Sequence, residues 1–411
     1  MTRSVSARAC ANPWTRMCSA LLLAFSILTL ATRAQASWPS DGLVVGDSAV
    51  TRFEPRLAIA PDGEHGIYSF ANPWQTATHF DAQGTLLWQV MAYTTGFRLP
   101  TALVPDGAGG VWVVYSANID ILAKHWDAAG VPVGGLVTVC HDVNGARFLG
   151  DAVSDGAGGF FAIWTDVQTY GDDDLRGSHV DAAGTVLSPA AGVLLTGGVG
   201  AQLFERVVSD GQGGFVLMYP SGPGEDFKRF DSALVPMWTT PARIPSSGAY
   251  GLFTMAASGD GGMFVAWTDG PSTAGTVRLQ RFGANGAVLA GWPTEGVAVA
   301  SPRLYPGSAR VMADGTGSAV VAWFDSHIGP GGFVPDVRVS RILADGSRAA
   351  GWPADGVIAG TTESPGLHPS AALTADGAGG CYVTWSDRTG GMAVVRVQRL
   401  GASGAAQAGW P

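Results

Sequence analysis

A five-residue turn motif that returns about every fifty residues limits most strongly what this chain can fold into. Asp-Gly-x-Gly-Gly stands at Asp106, Asp155, Asp210 and Asp376, and each copy runs into an apolar stretch ending in Tyr115, Trp164, Tyr219 or Trp385. Asp314 and Trp323 bracket a close variant, and Asp260 to Trp267 reads as the same unit shortened by two residues. Asp62 opens the most degraded copy. The seven copies lie 44 to 62 residues apart. A period of this size belongs to units that cannot bury their apolar surface alone and must stack on one another.

Each copy has the same internal order. A short run of small apolar residues comes first, such as Leu57-Ala58-Ile59-Ala60. The Asp-Gly turn follows, with a carboxylate able to accept backbone N–H groups and glycine free to take positive φ. The apolar run after it reads as a strand covered on both faces. A variable loop leads to an alternating segment such as Val277-Arg278-Leu279-Gln280-Arg281, then a second turn such as Asp127-Ala128-Ala129-Gly130 and a fourth segment. Four strands and two constant hairpin turns per unit predict an all-β, seven-bladed β-propeller of four-stranded antiparallel blades.

The chain begins and ends at one phase of the repeat. Trp292-Pro293 and Trp352-Pro353 sit in the fourth segments of copies five and six, Trp38-Pro39 stands near the N-terminus, and Trp410-Pro411 is the C-terminus. This phase predicts a ring closed by pairing of the N- and C-terminal segments, which leaves no exposed sheet edge. A longer array interrupted at Pro411 is the alternative.

Residues 1–36 read as a signal peptide. Arg3, Arg8 and Arg16 precede the apolar stretch Leu21–Leu28, and Ala34-Gln35-Ala36 supplies a small-x-small cleavage pattern. Residues 37–411 are then one propeller domain, expected to be secreted (extracellular or periplasmic) and monomeric. No later segment approaches the ~20 apolar residues of a spanning helix. Removing the peptide's four arginines from 24 basic residues leaves 20 against 33 acidic ones, a net charge near −13. Such a chain repels phosphate backbones and argues against a nucleic-acid partner. Of the four cysteines, Cys140 and Cys381 remain, 241 residues apart, too few for a disulfide framework.

With these residues in view, the units resemble the degenerate Asp-Gly-x-Gly-Gly…Trp-x-Asp…Arg-x-x-x-x-Gly repeats of large secreted bacterial proteins. The likeness covers Trp38 to Pro411 and implies a propeller-like fold and a secreted life; it carries no catalytic residues to transfer.

Candidate chemistry is sparse. The turn aspartates each bring one carboxylate, whereas calcium wants 6–8 converging oxygens, so no metal site is expected. Trp164, Trp267, Trp323 and Trp385 end apolar runs and read as core. The acids two positions later, Asp166, Asp269, Asp325 and Asp387, begin the variable loops, and Asp172, Asp173 and Asp174 form a charge run in a long one. These seven are the candidate ligand-binding residues; alanine at Asp166, Asp325 and Asp387 is expected to weaken binding with little change in stability. His79, His125 and His179 share a third-strand position as repeat inheritance. No catalytic residues or cofactor motifs emerge. The expected function is a non-catalytic binding module for an extracellular carbohydrate or protein, the alternative a propeller enzyme acting on polysaccharide. Recognition is expected on the face carrying the second-to-third-strand loops.

Overall fold

The computed structural model describes residues from Leu57 to Gln407, apart from 65, 72–75, 82–84, 93–100, 118, 142–145, 170–171, 199–205, 222–223, 246–252, 272–273, 302–306, 308, 330–331, 363–370, 377–378 and 390–391. Every regular element among them is a β-strand, and none is a helix long and apolar enough to cross a membrane. The signal-peptide segment and the two segments expected to close the ring lie outside the described residues.

The strands form seven antiparallel sheets, the blades of a seven-bladed β-propeller. Blade 1 spans Leu57–Met91, blade 2 Thr101–Cys140, blade 3 Ala146–Thr196, blade 4 Arg206–Pro245, blade 5 Thr254–Ala298, blade 6 Arg310–Thr361 and blade 7 Ala371–Leu400. Blades 1 to 6 pair their four strands in chain order, and blade 7 contributes three described strands. Successive first strands touch from blade 1 through blade 7, so they line the axis.

The apolar second strand explains how the sheets stack. Val111, Val113 and Tyr115 pack with Tyr68, Phe70 and Trp88 of blade 1, while Trp112 and Val114, on the opposite pleat, pack with Phe160 and Trp164 of blade 3. Alternate side chains of one strand thus serve two interfaces, and the strand loses the apolar-polar alternation of a half-exposed one. Comparable buried clusters join blades 3 and 4, 4 and 5, 5 and 6, and 6 and 7. The tryptophans ending second strands are interior: Gly192, Gly296 and Gly356 of the fourth segments pass so close to Trp164, Trp267 and Trp323 that a Cβ there would meet the ring at 2.4–2.7 Å.

The Asp-Gly-x-Gly-Gly motif is a clasp. In blade 3, Asp155 accepts the Ala157 N–H at 2.7 Å and the Gly159 N–H at 2.9 Å. Gly159 runs against the end of the third strand, where a Cβ would fall 2.2 Å from the Val180 carbonyl oxygen. The other carboxylate oxygen meets the third strand: His79, His125 and His179 in blades 1 to 3 lie 2.9–3.0 Å from their aspartates. Arg229, Arg281, Arg341 and Arg399 take the same role in blades 4 to 7. Blade 5 corrects the reading of a shortened unit. Ser258 holds the first turn position, its N–H donating to Gly262 at 3.0 Å, and its hydroxyl bonds Asp260, which takes Arg281. The turn keeps its length, with serine and aspartate sharing the task of one aspartate. Cys140 and Cys381 are buried and are not joined to each other in a disulfide.

Candidate functional site

Hairpin geometry sorts the loops onto two faces. The constant turns, first-to-second and third-to-fourth, emerge on one side of each blade. The second-to-third-strand hairpins and the crossovers between blades emerge on the other. These hairpins differ greatly: the paired strands are five residues each in blade 1 but ten and nine in blade 3, and eleven each in blade 6.

At the hairpin bases stand four of the acids singled out in the sequence, each tied to an arginine. Asp166 meets Arg176 at 2.9 Å and Arg147 at 3.3 Å, Asp269 meets Arg278 at 2.8 Å, Asp325 meets Arg338 at 2.6 Å, and Asp387 meets Arg396 at 2.7 Å. The register makes the pairing general: Arg176 lies directly opposite Trp164, so Asp166, two residues on, is its diagonal neighbour on the same face. Arg278 and Arg338 also donate to fourth-segment carbonyls, binding three strands together. Asp166, Asp325 and Asp387 are 1%, 5% and 3% exposed. A buried carboxylate holding a guanidinium stabilises the scaffold, so the expectation that alanine there spares stability changes sign. Asp172, Asp173 and Asp174 open the third strand of blade 3, across from Thr169, Val167 and Asp166.

The constant face carries an open depression of about 510 Å3 spanning blades 3 to 5, lined by Asp155, His179, Asp210, Arg229 and Asp260 among others. Its carboxylates are the clasp aspartates, already engaged by His179, Arg229 and Arg281, and Asp231, which accepts the Ala233 and Val235 N–H groups of its own turn. Among the described residues no group of three or more His, Cys, Asp or Glu is placed to hold a metal ion.

A polar layer on the first strands escaped the sequence reading. Four positions before the turn, the strand pairing aligns Ala58, Ala102, Asp151, Arg206, Thr254, Arg310 and Ala372, each opposite the residue just before the end of the apolar run. Three blades keep alanine; four consecutive ones, 3 to 6, do not. At ~3.3 Å per residue the layer lies ~13 Å from the constant turns, toward the opposite mouth of the channel. The described first strands of blades 4, 5 and 6 begin at these residues. Arg206 Nε is buried without a hydrogen-bond partner, and the one hydrogen bond of Arg310 among the described residues goes to the carbonyl of adjacent Ala309 at 3.0 Å. Burial, and secondly the charge of Arg206, push the Arg310 guanidinium below its ordinary pKa. Burial lifts Asp151 to about 6, against the opposing pull of the Ala152 N–H and Arg206. The signal was in the sequence, as charges where the repeat elsewhere places alanine, but it is visible only once the strands are aligned on their turns.

The fold and this arrangement define the class: a seven-bladed propeller with one scaffold face and one varied face. No family model and no curated protein matches the chain. Among solved structures it is similar to a prolyl endopeptidase, at 13% identity and a TM-score of 0.47, covering 81% of this chain and 47% of that one. It is similar as well to the dihydro-heme d1 dehydrogenase NirN, at 16% identity, a TM-score of 0.46 and coverage of 87% and 66%. A third is virginiamycin B lyase from Staphylococcus aureus, at 10% identity, a TM-score of 0.45 and coverage of 85% and 96%. The chain spans about half the length of the prolyl endopeptidase.

Proposed function

We propose that this chain is a secreted, non-catalytic recognition module that binds an extracellular carbohydrate or protein on the face of the second-to-third-strand hairpins. The observation that carries this reading is the division of labour between the faces. The constant turns are consumed by the Asp–His and Asp–Arg clasps, whereas the hairpins of blades 3 and 6 extend well beyond that of blade 1. Loops on a rigid repeated scaffold can vary without disturbing the stacked sheets, which is where repeat proteins place recognition. Asp166, Asp269, Asp325 and Asp387 serve it by holding the hairpin bases, and Asp172–Asp174 stand on the blade 3 hairpin itself.

The test is a glycan and extracellular-protein panel with product detection, run on the native chain and on one whose blade 3 and blade 6 hairpins are cut to the length of blade 1. Binding lost on shortening, at an unchanged melting temperature and with no released product, is the expected result. Turnover of a bound polysaccharide contradicts the non-catalytic reading, and binding that survives shortening but vanishes with changes on the constant face contradicts the choice of face.

A further inference from the structure

We propose that His179 is a proton-dependent latch across the seam between blades 3 and 4 on the constant face. With hydrogen on both ring nitrogens it ties the first turn of blade 3 to the third turn of blade 4. With one hydrogen it holds only one of them. The latch lies on the face opposite the hairpins and does not depend on what they bind.

His179 Nε2 lies 3.0 Å from Asp155 Oδ2, and its Nδ1 lies 2.9 Å from the Ser232 carbonyl oxygen. Both partners are acceptors. A carbonyl oxygen cannot donate, and Asp155 is the clasp carboxylate whose other oxygen takes the Ala157 and Gly159 N–H groups. A neutral imidazole carries one N–H, so the two contacts form together only in the imidazolium. Loss of a proton sets a ring lone pair against an oxygen lone pair at one end or the other. The ring is only 8% exposed, so water does little to relieve that contact. His79 and His125 are the internal comparison. Their Nε2 atoms meet Asp62 and Asp106 in the same way, but their Nδ1 atoms are buried with no hydrogen-bond partner. One N–H serves each of them fully.

The position of Ser232 shows what the second contact replaces. At the same place in the third turn, Ala128, Ala284, Ala344 and Ala402 offer their carbonyls to Trp88, Trp238, Trp292 and Trp352 of the preceding blade. The fourth segment of blade 3, residues 186–193, holds no tryptophan, and His179 supplies the missing donor. Two other clasp cations reach the next blade's third turn, but both are arginines: Arg229 donates to the Ala284 carbonyl at 3.2 Å and Arg281 to that of Ala344 at 3.3 Å. Guanidinium and indole keep their N–H groups at any ordinary pH; imidazole does not. The charged groups around the ring are Asp155 and Asp181 of blade 3, Asp210, Arg229 and Asp231 of blade 4, and Asp260 of blade 5, which Arg281 engages. Five acids against two arginines make a setting suited to a cation. Leu234, at φ 60 where the turn elsewhere carries glycine, packs with Phe161 and Phe215, so the apolar part of the seam does not depend on the proton. An unconstrained histidine gives up its second proton near pH ~6.5. The folded seam keeps a proton that the unfolded chain releases, so the latch is fully present below that pH and is lost as pH rises.

Two measurements on the full chain test the latch. Nitrogen-15 NMR of histidine-labelled protein, assigned with His179→Arg, reads the ring hydrogens directly. At about pH 7, His179 is expected to carry both, and His79 and His125 to carry one each, on Nε2. Hydrogen exchange by mass spectrometry, corrected for the intrinsic effect of pH, reads the seam. Peptides over residues 229–238 are expected to lose protection by about tenfold or more between about pH 6 and pH 9, while those over 281–292 and 341–352 hold theirs. His179→Arg supplies both contacts without a titrating proton, as Arg229 does in blade 4, and is expected to abolish the response at 229–238. If that variant does not fold, His179→Gln provides the NMR assignment and the native comparison between turns decides. A single ring hydrogen on His179 at about pH 7 overturns the proposal, whether or not Asp155 then holds a proton. So does an equal response at all three turns, or a His179→Arg protein that keeps the native response.

Discussion

Asp325 shows how far a residue's role depends on a neighbour that sequence distance hides. The Trp-x-Asp pattern was legible and so was the later arginine, but their diagonal pairing across a hairpin follows only from register. Removing one partner of a buried ion pair leaves the other charge uncompensated, so Asp325→Ala is expected to cost about 3–5 kcal/mol of stability, read by thermal unfolding. Asp151 works in the opposite sense. Burial raises its folded-state pKa to about 6, above the unfolded value, so the folded protein holds a proton that the unfolded chain releases. That contribution is fully present below pH ~4 and is lost as pH rises through 6. Asp151→Asn should therefore stabilise the protein at pH 7.5, by up to about 3 kcal/mol, and bring little at pH 4.5. Asp62 and Asp106 oppose this trend. Burial alone would raise them, but turn N–H groups and the facing histidines hold them below the usual value. Their contribution is present above pH ~4 and is lost as pH falls through their folded pKa. Melting curves of the native protein across pH 2 to 8 measure both effects.

At the scale of the strand and turn, the repeat grammar was largely legible because its causes are local. A carboxylate, a positive-φ glycine and a close approach to the third strand recur wherever the turn does. What stayed hidden was substitution within the grammar. Ser258 stands where aspartate is the rule, and arginine replaces histidine from blade 4 onward, so residues alike in task are unlike in type. Between blades, the fourth-segment tryptophans act as staples. Trp88, Trp238, Trp292 and Trp352 each donate the indole N–H to a third-turn carbonyl of the next blade, at 2.8–3.1 Å. Trp292→Phe keeps most of the packing and loses the bond to Ala344, for an expected loss of about 1 kcal/mol. Trp292→Ala also empties the seam between blades 5 and 6 and is expected to cost about 3–5 kcal/mol. Denaturant titration of the two variants separates the terms.

For the molecule as a whole, stacked blades mean that each interface is completed by a neighbour. A chain ending at Thr361 lacks blade 7 and uncovers Met312, Val320 and Ala322 of blade 6. It is expected to self-associate in size-exclusion chromatography where the full chain runs as one species. The fold was readable from the period and the turn; the polar first-strand layer was not, because it gathers single residues from strands about fifty positions apart. Its four members carry no motif, and only the alignment of first strands around an axis brings them together. The most direct test of the account is hydroxyl-radical footprinting of the native protein with and without a ligand that the glycan and extracellular-protein panel identifies. Protection is expected on the blade 3 and blade 6 hairpins, around residues 167–173 and 326–334, with the constant turns unchanged. Protection centred instead on the clasp turns near Asp155, Asp210 and Asp260 would contradict it.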